Sequence, residues 1–367
     1  MPVIVSTLTR FGLVAFLLGG LAAPALGQKK DDKKLKDAER VEAQALVKAA
    51  DVAMPAAAGP SVWTVDPSKK EGGASPAEGT PAINWRHDTL KAQQGKIYVP
   101  FVIDFPADSV ASQNVALYIR AAPKGSTAPP EPPDKDKDKE EQNGAFPFED
   151  VHFTQPVALE KGQARVTRAL AVPAGSYDIY LAMTPHLTER DKKSGPMRVV
   201  LLKQSIDVPD FWDGELNTSS VIVAEKVEGL AAALPPEQQR ERPYVLGQTE
   251  IVPAVDFAFK KTEELTIIFQ IYNPTLESKK PDVTVEYTFF KKDSAGEKPF
   301  NKMAPQQFNA QTLPPQFDPE AGYQLAAGWS VPLQSFPEGD YRLEIKVSDN
   351  KAKKAVTREV RFSVAGS

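Results

Sequence analysis

A twelve-residue pattern occurs twice in this chain, and it restricts the fold more than any other feature. Val172–Met183 reads VPAGSYDIYLAM, and Phe336–Val347 reads FPEGDYRLEIKV. Each copy runs Pro, a small or acidic residue, Gly, a polar residue and Tyr, then alternates strictly. Tyr177, Ile179, Leu181 and Met183 fall on one face of a strand, as do Tyr341, Leu343, Ile345 and Val347. The Pro-x-Gly before each Tyr is turn chemistry: Pro fixes φ, and Gly tolerates positive φ. A Tyr placed directly after such a turn resembles the tyrosine corner of immunoglobulin and fibronectin type III sandwiches, where the ring is buried and the hydroxyl bonds the backbone. Tyr177 and Tyr341 are therefore expected to be buried corner residues.

The repetition extends outwards from the motif. Adding 168 carries Ile83 to Ile251, Ile97 to Leu265, Val99 to Ile267, Phe101 to Phe269 and Ile103 to Ile271. The same shift carries Val115, Leu117 and Ile119 to Val283, Val285 and Tyr287. At the motif the offset is 164 (336 minus 172), and Ile206 and Val208 match Phe362 and Val364 at 156. A duplicated domain with changes of loop length accounts for this, because loop length costs little closure entropy. Short alternating strands separated by turns predict an all-β fold of two tandem antiparallel β-sandwiches, residues 83–208 and 248–365. Pro100, inside the run Ile97–Phe105, predicts an edge strand or a bulge there.

The flanking segments read differently. Residues 1–27 have a secretory leader pattern: Arg10, the apolar run Phe11–Leu18, and a small-x-small site at Ala25-Leu26-Gly27. The run is short for about 30 Å of hydrocarbon, so cleavage and export to the periplasm or beyond are expected, with no integral span in the mature chain. The chain has no cysteine, so neither a disulfide nor a lipid-modified terminal Cys is available. Residues 28–82 read as a charged helix followed by a Pro/Ala/Gly-rich linker. Leu35, Ala38, Val41, Ala45, Leu46 and Ala49 form a thin apolar stripe. We read it as a solvated helix near a terminus, with docking as the alternative. Residues 123–145 read as a disordered insert, and 209–247 as the connector between the sandwiches.

Little in the chain announces chemistry. A net charge of −4 offers no basic footprint for nucleic acid. There is no GxGxxG, P-loop, GxSxG or HExxH. His87, His152 and His186 are far apart and are expected on loops or the surface. Asp134–Glu140 superficially resembles a calcium loop, but Lys139 stands where a Gly is needed and the lysines cancel its field. PPEPP, residues 129–133, reads as a stiff soluble loop. No cofactor, metal or catalytic residue is expected. Exposed aromatics on a sandwich can anchor a partner or stack on a sugar, and the candidates are Tyr180, Phe211 and Trp212. For Phe211 and Trp212 the alternative is packing at the domain junction.

Three stretches, SIDVPDFWDGELNTSSVIVAE (Ser205–Glu225), Tyr244–Asn273 and FPEGDYRLEIKVSD (Phe336–Asp349), resemble the C-terminal β-sandwich regions of exported bacterial proteins with von Willebrand A-related or GWxTD domains. The resemblance covers about residues 160–365. The Asp-x-Ser-x-Ser metal motif is absent, and Gly328-Trp329 continues with Ser-Val rather than Thr-Asp. The resemblance thus implies an accessory module without the head domain, and it transfers no functional residues. The expected function is that of an exported, non-catalytic structural or interaction module of the bacterial envelope, its partner an envelope or extracellular protein or a glycan. The rival reading is a carbohydrate-binding or carbohydrate-processing protein.

Overall fold

The computed structural model describes residues 37–53, 59–66, 69, 73–110, 114–126, 146–186, 196–294, 296–319 and 322–366. The expected leader, the calcium-like run and the PPEPP stretch lie outside them. Among the described residues no helix is long and apolar enough to cross a membrane. Among the described residues the fold is all-β apart from a short N-terminal helix, one α-helical turn and two 3-10 turns, and the chain divides into two compact units.

The N-terminal unit contains α1 (Asp37–Ala53), β1 (Ser61–Val65), β2 (Ala74–Ala77), β3 (Asn84–His87), β4 (Leu90–Lys91), β5 (Ile97–Pro106), β6 (Val115–Pro123), β7 (Phe148–Thr154), β8 (Val157–Ala158), β9 (Gln163–Val172), β10 (Gly175–Pro185) and β11 (Met197–Val208). It also takes in Pro236–Pro243, which carries the single-turn α2 (Pro236–Gln239). One sheet runs β2-β1-β11-β10-β6-β7, and the other runs β3-β5-β9-β8 with β4 also on β5. The supposed linker thus supplies two strands, and Trp63 of β1 is buried.

The C-terminal unit contains β12 (Asn217–Thr218), β13 (Ile222–Gly229), β14 (Val245–Leu246), β15 (Thr249–Pro253), β16 (Ala258–Lys260), β17 (Glu264–Tyr272), β18 (Val283–Asp293), β19 (Gly296–Lys302), β20 (Gln306–Phe308), β21 (Leu325–Pro332), β22 (Gly339–Asp349) and β23 (Lys354–Ala365). Its sheets run β12-β17-β13-β15-β14, with β21 on β17, and β16-β23-β22-β18-β19, with β20 on β18. Residues Val223, Leu265, Ile267 and Phe269 of the first sheet share one core with Tyr287, Phe289, Leu343 and Ile345 of the second. Part of the stretch expected to be a connector is therefore sheet: β12, β13 and β14 belong to this sandwich. The reason is local. Ile222 and Val223 are buried against β17 and satisfy their backbone there.

Strand register supports the duplication at its centre. Leu181 pairs with Ile119 and Leu202; Ile345 pairs with Tyr287 and Arg358. Those partners are related by the offsets 168 (287 minus 119) and 156 (358 minus 202). Both corners close identically. The Tyr177 hydroxyl donates to Pro173 O at 3.0 Å, and the Tyr341 hydroxyl donates to Pro337 O. Gly175 and Gly339 have φ of +154° and +136°, which the turn demands of glycine. The ungapped alignment fails at its first position. Ile251 lies in β15, which pairs with β13, whereas Ile83 precedes β3, a neighbour of β5.

Pro100 sits in an interior strand, not at an edge. Its carbonyl accepts from Asp88 N at 2.9 Å, in the gap where β3 ends and β4 has not begun. The N–H and C=O of a strand residue point the same way, so the donor that Pro lacks faces this break.

The copies differ most on the outer face of the motif sheet. Ala116, Tyr118, Arg120, Tyr180 and Ala182 stand where the second copy has Thr284, Glu286, Thr288, Glu344 and Lys346. Helix α1 covers Ala116, Tyr118 and Ala182 and reaches Arg120. Ala45, Leu46, Ala49 and Ala50 pack with Ala116, Tyr118, Ala182, Met197, Val199 and Leu201. The helix is thus docked, contrary to the solvated reading, because its stripe meets an apolar sheet face. Two polar contacts fix it: Glu42 Oε2 lies 2.8 Å from His186 Nδ1, and Arg120 Nη1 donates to Asp51 Oδ1 at 2.6 Å. Arg120 is buried. Its Nη2 also bonds Glu149 at 3.0 Å, its Nε bonds the Tyr118 hydroxyl, and the Phe146 ring covers it at 4.2 Å.

Candidate functional site

The three aromatic candidates fare differently. Tyr180 is buried, closed over by Ala122 and Phe146, with Lys203 Nζ 5.5 Å from its ring. Phe211 is fully buried against Tyr272 at 4.8 Å, and its carbonyl accepts from Asn273 Nδ2 at 3.1 Å. Neither presents a contact surface: each ring lies on the covered side of a strand or turn. Trp212 alone is exposed, at 45%.

The N-terminal unit instead holds a cleft of about 560 Å³ that sequence reasoning missed. Its walls are two open sheet edges. Among the described residues strand β7 pairs only with β6, and β8 covers β9 only at Ala164 and Arg165. Among the described residues no strand therefore covers that side of β9 from Val166 onwards. Phe153, Thr154, Gln155 and Val157 line one side, and Arg165, Val166, Thr167 and Arg168 the other. Asn114 and His186 border one part, Glu241 and Arg242 another. The latter pair come from the returning segment, which the Thr167 hydroxyl holds by donating to Glu241 O at 3.4 Å.

Alternation explains the cleft's charge. On β9, Ala164, Val166, Leu170 and Val172 face the core, and Arg168 occupies the same parity. It is 4% exposed, and its register partner is the buried Phe101. Its Nη1 donates to Thr167 O at 2.8 Å, whereas its Nε has no hydrogen-bond partner. Burial pulls its pKa below the ordinary value, and Glu241 offsets part of this. Arg165 lies on the outer face and is neutralised by Asp104, with Nε–Oδ1 at 2.7 Å and Nη2–Oδ2 at 2.8 Å.

A second inward polar group stands opposite. His152 pairs with Leu117, so it points into the sandwich from β7. Burial, with Arg168 and then Arg240, lowers its pKa to about 3, and it is neutral at pH 7. Its Nε2 lies 3.5 Å from the Asp150 carboxylate, yet it makes no hydrogen bond. His186, beside Phe153 at 5.0 Å, joins the cleft to α1 through Glu42. His87 lies elsewhere, accepting from Trp85 Nε1 at 3.1 Å, and burial lowers its pKa. Two of the three histidines thus gather at one end of one sandwich. The signal for the cleft was Arg168 at a core-parity position, where a central strand would carry an apolar residue.

Among the described residues no cluster of His, Asp and Glu has the arrangement of a metal site. No protein-family model matches the chain, and no curated protein matches it. Among solved structures the chain is similar to an immunoglobulin-like protein from Pseudomonas aeruginosa, at 11% identity and a TM-score of 0.20, over 40% of this chain and 97% of that one. It is also similar to a Salmonella alpha-2-macroglobulin mutant, at 14% identity and a TM-score of 0.18, over 83% of this chain and 18% of that one.

Proposed function

We propose that this protein is an exported, non-catalytic β-sandwich module that holds a partner segment in the cleft of its N-terminal unit. One observation carries this reading. The cleft is bounded by two strand edges, β7 and β9, that no other strand covers among the described residues, and an uncovered edge recognises extended chain through main-chain hydrogen bonds. The conspicuous charged groups elsewhere are committed to structural duty. Asp178 accepts from Ser205 Oγ and Gly125 N, and Asp349 accepts from Thr275 N, Lys351 N and Ala352 N. Arg342 is shared by Glu297, Glu344 and Glu359. Export rests on the leader pattern of residues 1–27, and the partner is then a protein of the envelope or the exterior. The glycan-processing alternative needs two carboxylates facing across a cleft, and Glu241 is the one carboxylate among the described residues lining this one.

The absence of cysteine makes a clean test available, since any introduced thiol is unique. A photo-crosslinker on Thr154→Cys should capture an envelope partner in the producing cell, whereas the same label on Thr284→Cys should not. Capture from Trp212→Cys without capture from Thr154→Cys would move the interaction to the exposed tryptophan. Recovery of the unprocessed chain in the cytoplasm would remove the export half of the reading.

A further inference from the structure

We propose that the cleft is a carboxylate site, and that its occupant is an acidic, extended peptide whose Asp or Glu side chain seats on Arg168. This deepens the binding role assigned to the cleft and rests on it.

Two observations point to an anion. Arg168 is more than nine-tenths buried on the core side of β9, lines the cleft, and leaves Nε unbonded. Among the described residues no carboxylate reaches it at ion-pair distance. A guanidinium taken out of water without a counter-ion is strongly disfavoured, and its planar fork fits a carboxylate with two parallel N–H donors. Arg165 is already neutralised by Asp104, which leaves Arg168 as the core-side guanidinium of the cleft. His152 adds no charge at neutral pH and faces the same interior, its Nε2 making no hydrogen bond and lying 3.5 Å from the Asp150 carboxylate.

The geometry also favours a peptide over a free small anion. The open edges of β7 and β9 offer backbone donors and acceptors along the cleft. Thr154, Gln155 and Thr167 line it with short polar side chains, and Phe153 and Val157 line it with apolar surface. An extended segment alternating acidic and apolar residues would place carboxylates on the arginine side and apolar side chains on the other.

The test uses the full mature chain and two acetylated, amidated hexapeptides, one alternating Glu with Val and its isostere alternating Gln with Val. Titration is followed by fluorescence of a dye on Thr154→Cys, with sodium acetate and inorganic phosphate as separate probes. The Glu peptide should bind at least about tenfold more tightly than the Gln peptide, a difference that corresponds to one charge-assisted bidentate contact. Arg168→Gln should abolish that preference, and Arg242→Gln, a change at the edge of the cleft that leaves the core untouched, should reduce it. Equal binding of both peptides would overturn the carboxylate assignment while leaving the cleft a binding site. Acetate or phosphate as tight as the Glu peptide would overturn the peptide assignment. Binding of no probe, together with no crosslinking from Thr154→Cys, would remove both readings. If Arg168→Gln does not fold, Arg242→Gln decides: an undiminished preference there counts against the proposal.

Discussion

At the scale of single residues, the two sandwiches rest on the same corner and differ in their buried charges. Each corner hydroxyl contributes one hydrogen bond to a proline carbonyl, worth about 1 kcal/mol. These tyrosines were legible because turn and strand lie adjacent in sequence. Tyr180 was not, because its cover comes from Phe146 and Lys203, which are distant in the chain. His152 has a consequence for stability. In the unfolded chain its pKa is about 6.5, and in the folded protein about 3. Between those values the unfolded chain binds more protons. His152 therefore supports the fold fully above pH of about 6.5, and this support is lost as pH falls towards 3. The slope it adds is at most about 1.4 kcal/mol per pH unit. Chemical denaturation between about pH 6 and about pH 4 should show a shallower loss of stability in His152→Asn than in the parent. Equal slopes would mean that burial, with Arg168 and Arg240, does not hold the ring neutral.

At the scale of elements, the telling comparison is between equivalent strands. Strand β22 alternates buried and less buried residues, whereas β10 is buried almost throughout. The difference is α1 over Ala182 and Phe146 over Tyr180. The substitution of Ala116, Tyr118 and Ala182 for Thr284, Glu286 and Lys346 was visible in the sequence once the copies were aligned. It marks the face that a helix covers. The helix itself looked too thin-striped to dock, because Glu42 interrupts the apolar face and its partner, His186, lies far along the chain. Leu46 is the largest apolar side chain that α1 buries. Leu46→Ala should cost about 3 kcal/mol of unfolding free energy, read from the denaturation midpoint, with α1 helicity retained. A loss below about 1 kcal/mol would mean the helix is not part of the cooperative unit. The boundaries of β1, β2, β12 and β13 were hidden for another reason. These strands are short, lie among Pro, Gly and Ser, and acquire their pattern only from the sheets they join.

At the scale of the whole molecule, the N-terminal unit is discontinuous: it ends at Asp210 and resumes for Pro236–Pro243. The resumed piece carries Glu241 and Arg242 of the cleft, and Pro243 O accepts from the Tyr98 hydroxyl at 3.4 Å. Replacing 236–243 by a Gly/Ser segment of equal length should abolish selective binding of the Glu peptide while the C-terminal sandwich still unfolds cooperatively. Retained selectivity would assign the cleft to β7 and β9 alone. The same discontinuity governs the order in which a chain growing from its N-terminus can acquire structure. The N-terminal sandwich can close once residue 243 has emerged, before any of β17, β18, β22 or β23 exists. In that interval Ile222 and Val223 of β13 have no β17 to cover them, so a chain folding in this order would carry a finished N-terminal sandwich while an aggregation-prone strand is still bare.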